Sequence, residues 1–195
     1  RAAKNIVRFV DAKDPSTANH SETVSALAAA IGTELGLDEA TVDQLALAGL
    51  LHDIGKIGIP DSLLQAPRAL TAVEFETIKA HPALGYSLLD GLGIAPIDEW
   101  ILHHHENWDG TGYPNGLSRD EIPLGARIVR VADAFEAMTA NRPYRAAQSV
   151  EYALAELHAN ACLQFDAIAV AAVEACLVNR SSTAGRRQVP ALALA

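Results

Sequence analysis

Apolar residues return at helical spacing along most of the chain and alternating β-branched runs are nearly absent, so the pattern predicts an all-α fold. Val24, Leu27, Ala28, Ile31 and Leu35 share one face of a helix over 15–35, with Asp14 or Thr17 near its start and Gly36 at its end. His20, four residues before Val24, lies on that inward face. A second helix over 38–54 carries Val42, Leu45, Ala46 and Gly49, and Gly55 is expected to stop it. His52, Asp53 and Lys56 then gather at its C-terminal end. Thr71 and Glu74 make a capping box for a helix bearing Val73, Ile78 and Leu84, which Pro82 should interrupt beside His81.

Pro96 suits the first position of a helix that ends in the run His103, His104, His105, and Pro123 suits the same position in a helix over 123–140. In that helix Ile128, Val131, Phe135 and Met138 form the core stripe. Asp133 takes the other face with Ala126, Val129 and Ala137, small neighbours that leave room around a carboxylate. Ser149 and Asp166 are expected to cap two further helices.

A length of 195 residues, half of them apolar, suits one core. We expect an upstream helix or linker end over 1–13, one domain over 14–180 and a flexible tail over 181–195. The chain opens on Arg1 rather than Met, as a piece of something larger would. The net charge of −9 argues against a nucleic-acid polymer or an anionic membrane as the main partner. Cys162 and Cys176 read as reduced core residues of a cytoplasmic protein. No membrane-length apolar run stands in this fragment, and oligomeric state is left open.

The candidate chemistry lies in His20, His52, Asp53, His81, His104, His105 and Asp133, which fall at helix ends or on inward faces. Imidazole and carboxylate together are the donor set of transition ions, and burying so many ionisable groups without a cation would be costly. Seven donors exceed one ion and suit two, with Asp53 as the bridging carboxylate. Two ions roughly 3.5–4 Å apart are an arrangement that hydrolyses phosphate esters through a shared hydroxide. His103 and His158 read instead as structural histidines.

The strings "HDIGKIGIPDSLL", "HPALGYSLL", "HHENWDGTGYPNGL", "IPLGARIVRVADAFEAMTANRPYR" and "FDAIAV", in that order across about residues 11–170, resemble the HD-GYP family of the HD metal-dependent phosphohydrolases. The resemblance implies an HD-type helical bundle with a short Gly/Pro-rich GYP loop, which opens cyclic di-GMP to the linear dinucleotide or GMP. It implies divalent iron or manganese, with His20, His52, Asp53 and Asp133 at one ion, His81, His104 and His105 at the other, and Asp53 between them. Lys56 would contact the attacking water or the scissile phosphate, and Arg142 and Arg145 would grip phosphate oxygens. Members with a third metal carry a glutamate where this chain has Ser16, so two ions are expected. Glu106 is expected to orient an imidazole, and the loop to buttress the histidines and present Tyr113 to a partner such as a diguanylate cyclase domain. A catalytically reduced docking module and a hydrolase of another cyclic dinucleotide are the competing readings.

Overall fold

The computed structural model describes residues 20–141 and 146–186, with side chains as far as 179. The described residues form helices α1 (His20–Glu34), α2 (Glu39–Leu51), α3 (Asp61–Leu64), α4 (Ala72–Ile78), α5 (His81–Leu89), α6 (Ile97–His103), α7 (Leu124–Thr139), α8 (Val150–Ala159) and α9 (Ala167–Arg186), plus 3-10 turns at Ile54–Gly58 and Arg119–Glu121. Among these residues there is no strand, only isolated bridges at Asp109–Ser118 and Ala161–Phe165. The all-α expectation holds.

The antiparallel pair α1 and α2 forms the base of the bundle, and α7 packs on α1, α2 and α6, with α9 closing the far side of α1. The predicted stripe Val24, Leu27, Ala28 and Ile31 is buried against Leu45, Ala48 and Leu51, and Ile128, Val131 and Phe135 join the same core. Gly36 ends α1 at φ +72°, and the Leu37 amide reaches the Gly32 carbonyl at 3.1 Å, the Schellman closure that favours glycine there. Asp38 caps α2 through the Thr41 amide, Thr71 and Glu74 form the capping box of α4, and Ser149 caps α8. The Asp166 carboxylate accepts from the Ile168 amide at the start of α9.

The structure departs from the expectations at several points. Helix α2 stops at Leu51, with His52 as its C-cap, and the chain turns through Asp53 into the 3-10 segment. Gly55 therefore does not end the helix; it lets this turn touch α5, because a Cβ there would overlap the His81 carbonyl oxygen and crowd the Gly85 amide. Pro96 and Pro123 stand one residue before their helices rather than at the first helical position, a shift of the kind common at helix boundaries. Pro82 does split the segment, as α4 ends at Ile78 and α5 restarts at His81. Cys176 is buried but Cys162 is exposed, sitting at φ +63° in the turn after α8, so only one of the two thiols belongs to the core. Helix α9 runs on to Arg186. The expectations for 1–13, for the cap at Asp14 or Thr17, for Ser16, for Arg142 and Arg145 and for the tail beyond Arg186 lie outside the described residues.

Gly55→Ala should cost at least about 1–3 kcal/mol, because backbone on both sides blocks the added methyl. Thermal unfolding of the variant should show a midpoint several degrees below that of the wild type, and an unchanged midpoint would contradict the close approach.

Candidate metal centre

His52, His81 and His104 stand where a helix starts or stops. His52 and His104 are C-caps of α2 and α6, and His81 follows the C-terminus of α4, so each is near helix carbonyls that lack an intrahelical donor. Their Nδ1–H groups take those carbonyls: His52 donates to Gly49 at 2.8 Å, His81 to Ile78 at 2.9 Å and His104 to Ile101 at 2.6 Å. A carbonyl only accepts, so Nδ1 must carry the proton and, in the neutral ring, Nε2 keeps the lone pair. His20 does the same with Glu136, whose carboxylate accepts from Nδ1.

The freed Nε2 atoms converge. Those of His20 and His52 are 3.2 Å apart, and those of His81 and His104 are 3.4 Å apart. Asp133 Oδ1 lies 3.4 Å from His20 Nε2 and 3.9 Å from His52 Nε2. Two groups emerge, His20–His52–Asp133 and His81–His104–His105, each with its ligand atoms within 4.8 Å of one another. Asp53 lies between them: Oδ2 is 3.4 Å from His52 Nε2 and 3.8 Å from His20 Nε2, while Oδ1 is 3.3 Å from His81 Nε2. All seven predicted donors are thus brought together. Facing lone pairs repel unless a proton or a cation sits between them, and separations of this size suit bonds of about 2.0–2.2 Å to a common centre. The residues of each group fit a divalent ion, and Asp53 presents an oxygen to each group.

Electrostatics without an ion point the same way. Burial disfavours the imidazolium of His52, yet the carboxylates of Asp53 and Asp133 outweigh it and push the group up to about 9. Burial likewise opposes charge on Asp53, but Lys56 and His52 hold its carboxyl well below the usual range. Asp133 is lowered against burial by His52 and His20. On the other side burial and neighbouring imidazoles drive His104 and His105 well below the ordinary value, and burial lowers His81. One half of the pocket holds a proton where a cation would sit, and the other holds neutral ligands. The Lys56 ammonium donates to Asp53 Oδ2 at 2.7 Å from the pocket rim.

A family model described as "HD domain" matches residues 5–168. The chain belongs to the HD domain family. This HD domain is 44% identical over 148 residues to a cyclic di-GMP phosphodiesterase of Thermotoga maritima, covering 74% of this chain and 40% of that protein. It is 40% identical over 171 residues to the 3'3'-cGAMP-specific phosphodiesterase 3 of Vibrio cholerae, covering 87% and 37% respectively. The chain therefore spans about two fifths of the length of these curated relatives. In fold it is similar to the crystal structure of V-cGAP3, a cyclic GMP-AMP-specific phosphodiesterase of V. cholerae, with a TM-score of 0.70 at 21% identity over 94% of this chain and 50% of that one. The HD-GYP resemblance and the helical HD bundle are borne out.

The glycine-rich loop of the HD domain is pinned from beneath. Glu106 is buried, and its carboxylate accepts from the Asn115 amide at 2.7 Å and the Leu117 amide at 3.1 Å. It braces the loop rather than orienting an imidazole of the two groups; its Oε1 lies 3.8 Å from Nδ1 of His103, which belongs to neither. Gly110 and Gly116 adopt φ +83° and +68°, whereas Gly112 is needed for space, since a Cβ would strike the Glu106–Asn107 backbone. Tyr113 stacks on His105 with centroids 4.9 Å apart, and the Lys79 ammonium lies 5.5 Å from the centroid of the tyrosine ring. Half-buried there, with its hydroxyl pushed up to about 12 chiefly by burial, Tyr113 supports a site histidine. His103 pairs with Glu99 and His158 with Glu174, outside the cluster as expected. Glu136 was missed by the sequence reading; its signal was an acid three residues after Asp133, on the same helical face.

Ion uptake must displace the proton that His52 holds below about pH 9 in the metal-free protein. Calorimetric titration with manganese near neutral pH, in buffers of different ionisation heat, should report release of about one proton, and apparent affinity should fall as pH falls. In the metal-free form the sign runs the other way: the raised value stabilises the fold below about 6.5 and that contribution is lost as pH rises through about 9. Uptake without proton release would contradict the assignment.

Proposed function

We propose that this HD domain is a metal-dependent phosphodiesterase that hydrolyses cyclic di-GMP to the linear dinucleotide or GMP. The single observation that carries the reading is the pair of clusters, His20–His52–Asp133 and His81–His104–His105, faced by the two oxygens of Asp53. The names of the curated relatives supply the substrate class. His20, His52, Asp53 and Asp133 would hold one ion and His81, His104 and His105 the other, and iron or manganese suits this nitrogen and oxygen set. Two such ions supply Lewis acidity toward the phosphate and a nucleophile at neutral pH.

The chain's own groups do the rest. Asp53 and Lys56 act as the catalytic pair: the carboxylate fixes the spacing of the two clusters, and the ammonium, close by at the rim, offsets charge that develops on the phosphate. Arg142 and Arg145 bind phosphate oxygens as guanidinium forks. Within the proposal the functional unit spans 14–180, works in the cytoplasm, and offers its glycine-rich loop to diguanylate cyclase domains. No helix among the described residues is long and apolar enough to cross a membrane.

A second reading has a specific observation behind it, the 40% identity to a 3'3'-cGAMP-specific enzyme. Purified protein loaded anaerobically with manganese or iron(II) should convert cyclic di-GMP, followed by chromatography of the products, and a panel ranked by kcat/KM separates it from 3'3'-cGAMP. Lys56→Ala should lower kcat by about 10²–10³ with metal content unchanged. No turnover of either dinucleotide by metal-replete protein would overturn the proposal.

A further inference from the structure

Asp133 and Glu136 stand three residues apart on α7, on the same helical face, and both reach His20. The shorter side chain approaches Nε2, the ring atom that faces the cluster. The longer one takes Nδ1, the ring atom that faces away, and it is itself buried. His20 differs in this from the three histidines tied to backbone. His52, His81 and His104 each give Nδ1–H to a carbonyl three residues earlier in their own chain segment, whereas His20 takes its acceptor from another helix.

From this we infer that Glu136 is a positioning residue that sets the tautomer and orientation of His20, and thereby the affinity of the His20–His52–Asp133 cluster for a divalent ion. A carboxylate on the far nitrogen fixes Nδ1 as the protonated atom, aims the Nε2 lone pair and makes it more basic. A backbone carbonyl does the first two but carries no charge. The two clusters are therefore unequal. One holds Asp133 and feels a second carboxylate through His20, while the other is built from three imidazoles, and Asp53 faces both. The first cluster should bind its ion more tightly, and Glu136 should be one source of the difference. This inference rests on the metal reading of the clusters and on nothing about the substrate.

The test is manganese titration of metal-free wild type, E136Q, E136L, H20A and the double variant H20A/E136L, followed by calorimetry and by electron paramagnetic resonance of the loaded proteins. Wild type should take two ions and show the exchange-coupled signal of a manganese pair. E136L should lose about 10–100-fold in affinity at one site and shift toward the signal of an isolated ion. E136Q, which keeps an acceptor without the charge, should fall between. The double variant should bind no more weakly than H20A, because the role assigned to the carboxylate is exercised through that ring.

Zinc-loaded wild type gives a readout that needs no variant to fold: nitrogen NMR should place the His20 proton on Nδ1 and the bound zinc on Nε2. Two ions bound as tightly by E136L as by wild type, additive losses in the double variant, or the opposite His20 tautomer would each overturn the role of Glu136. A wild type that takes up no manganese overturns the metal reading and this inference together. Metal-replete protein that binds as expected yet leaves cyclic dinucleotides intact removes the proposed function alone.

Discussion

The constraint on which this structure depends is the fixing of imidazole protons on the outer nitrogen. His52, His81 and His104 each spend Nδ1–H on a helix carbonyl, and His20 spends it on Glu136. What remains is a set of Nε2 lone pairs aimed at one small volume from four directions. In a buried site such an arrangement is unfavourable until positive charge enters it. Helix C-termini supply the carbonyls at no structural cost, because those groups have no donor within the helix. The ends of α2, α4 and α6 thus both terminate helices and orient the imidazoles of the two groups.

The same economy explains the shape of the turn after α2. The chain leaves the helix at His52 and enters a 3-10 segment at once, so Asp53 is buried and faces both clusters within a few ångströms. Gly55 then passes against the backbone at the start of α5, which brings His81 to Asp53 Oδ1. A larger residue at Gly55 would push α5 outward and pull the two halves of the pocket apart. Here a packing requirement and a chemical one coincide at a single position.

The loop after α6 belongs to this scaffold rather than to a separate module. Glu106 gathers two loop amides from below, and Tyr113 lies on the His105 ring. A loop with few apolar anchors would otherwise be among the least stable parts of a domain. Tied at both points, it limits the ring of the one cluster histidine that is not deeply buried.

Much of the outcome was legible in the one-dimensional pattern. Helical periodicity gave the core stripes of α1 and α7, capping chemistry gave the starts of α2, α4 and α8, and the residue types His and Asp named the donor set. These are local properties, decided by a residue and its neighbours within a turn. Partners far apart in sequence were not legible. That Glu136 reaches back to His20, that Glu106 grips the loop instead of an imidazole, that Gly55 serves an interhelical contact and that Cys162 faces solvent all depend on how helices cross. The sequence by itself determined which groups could bind a cation. Only the tertiary structure decided which ring nitrogen each would offer, because that choice is made by an acceptor on the opposite side of the ring, and the packing of the fold chooses the acceptor.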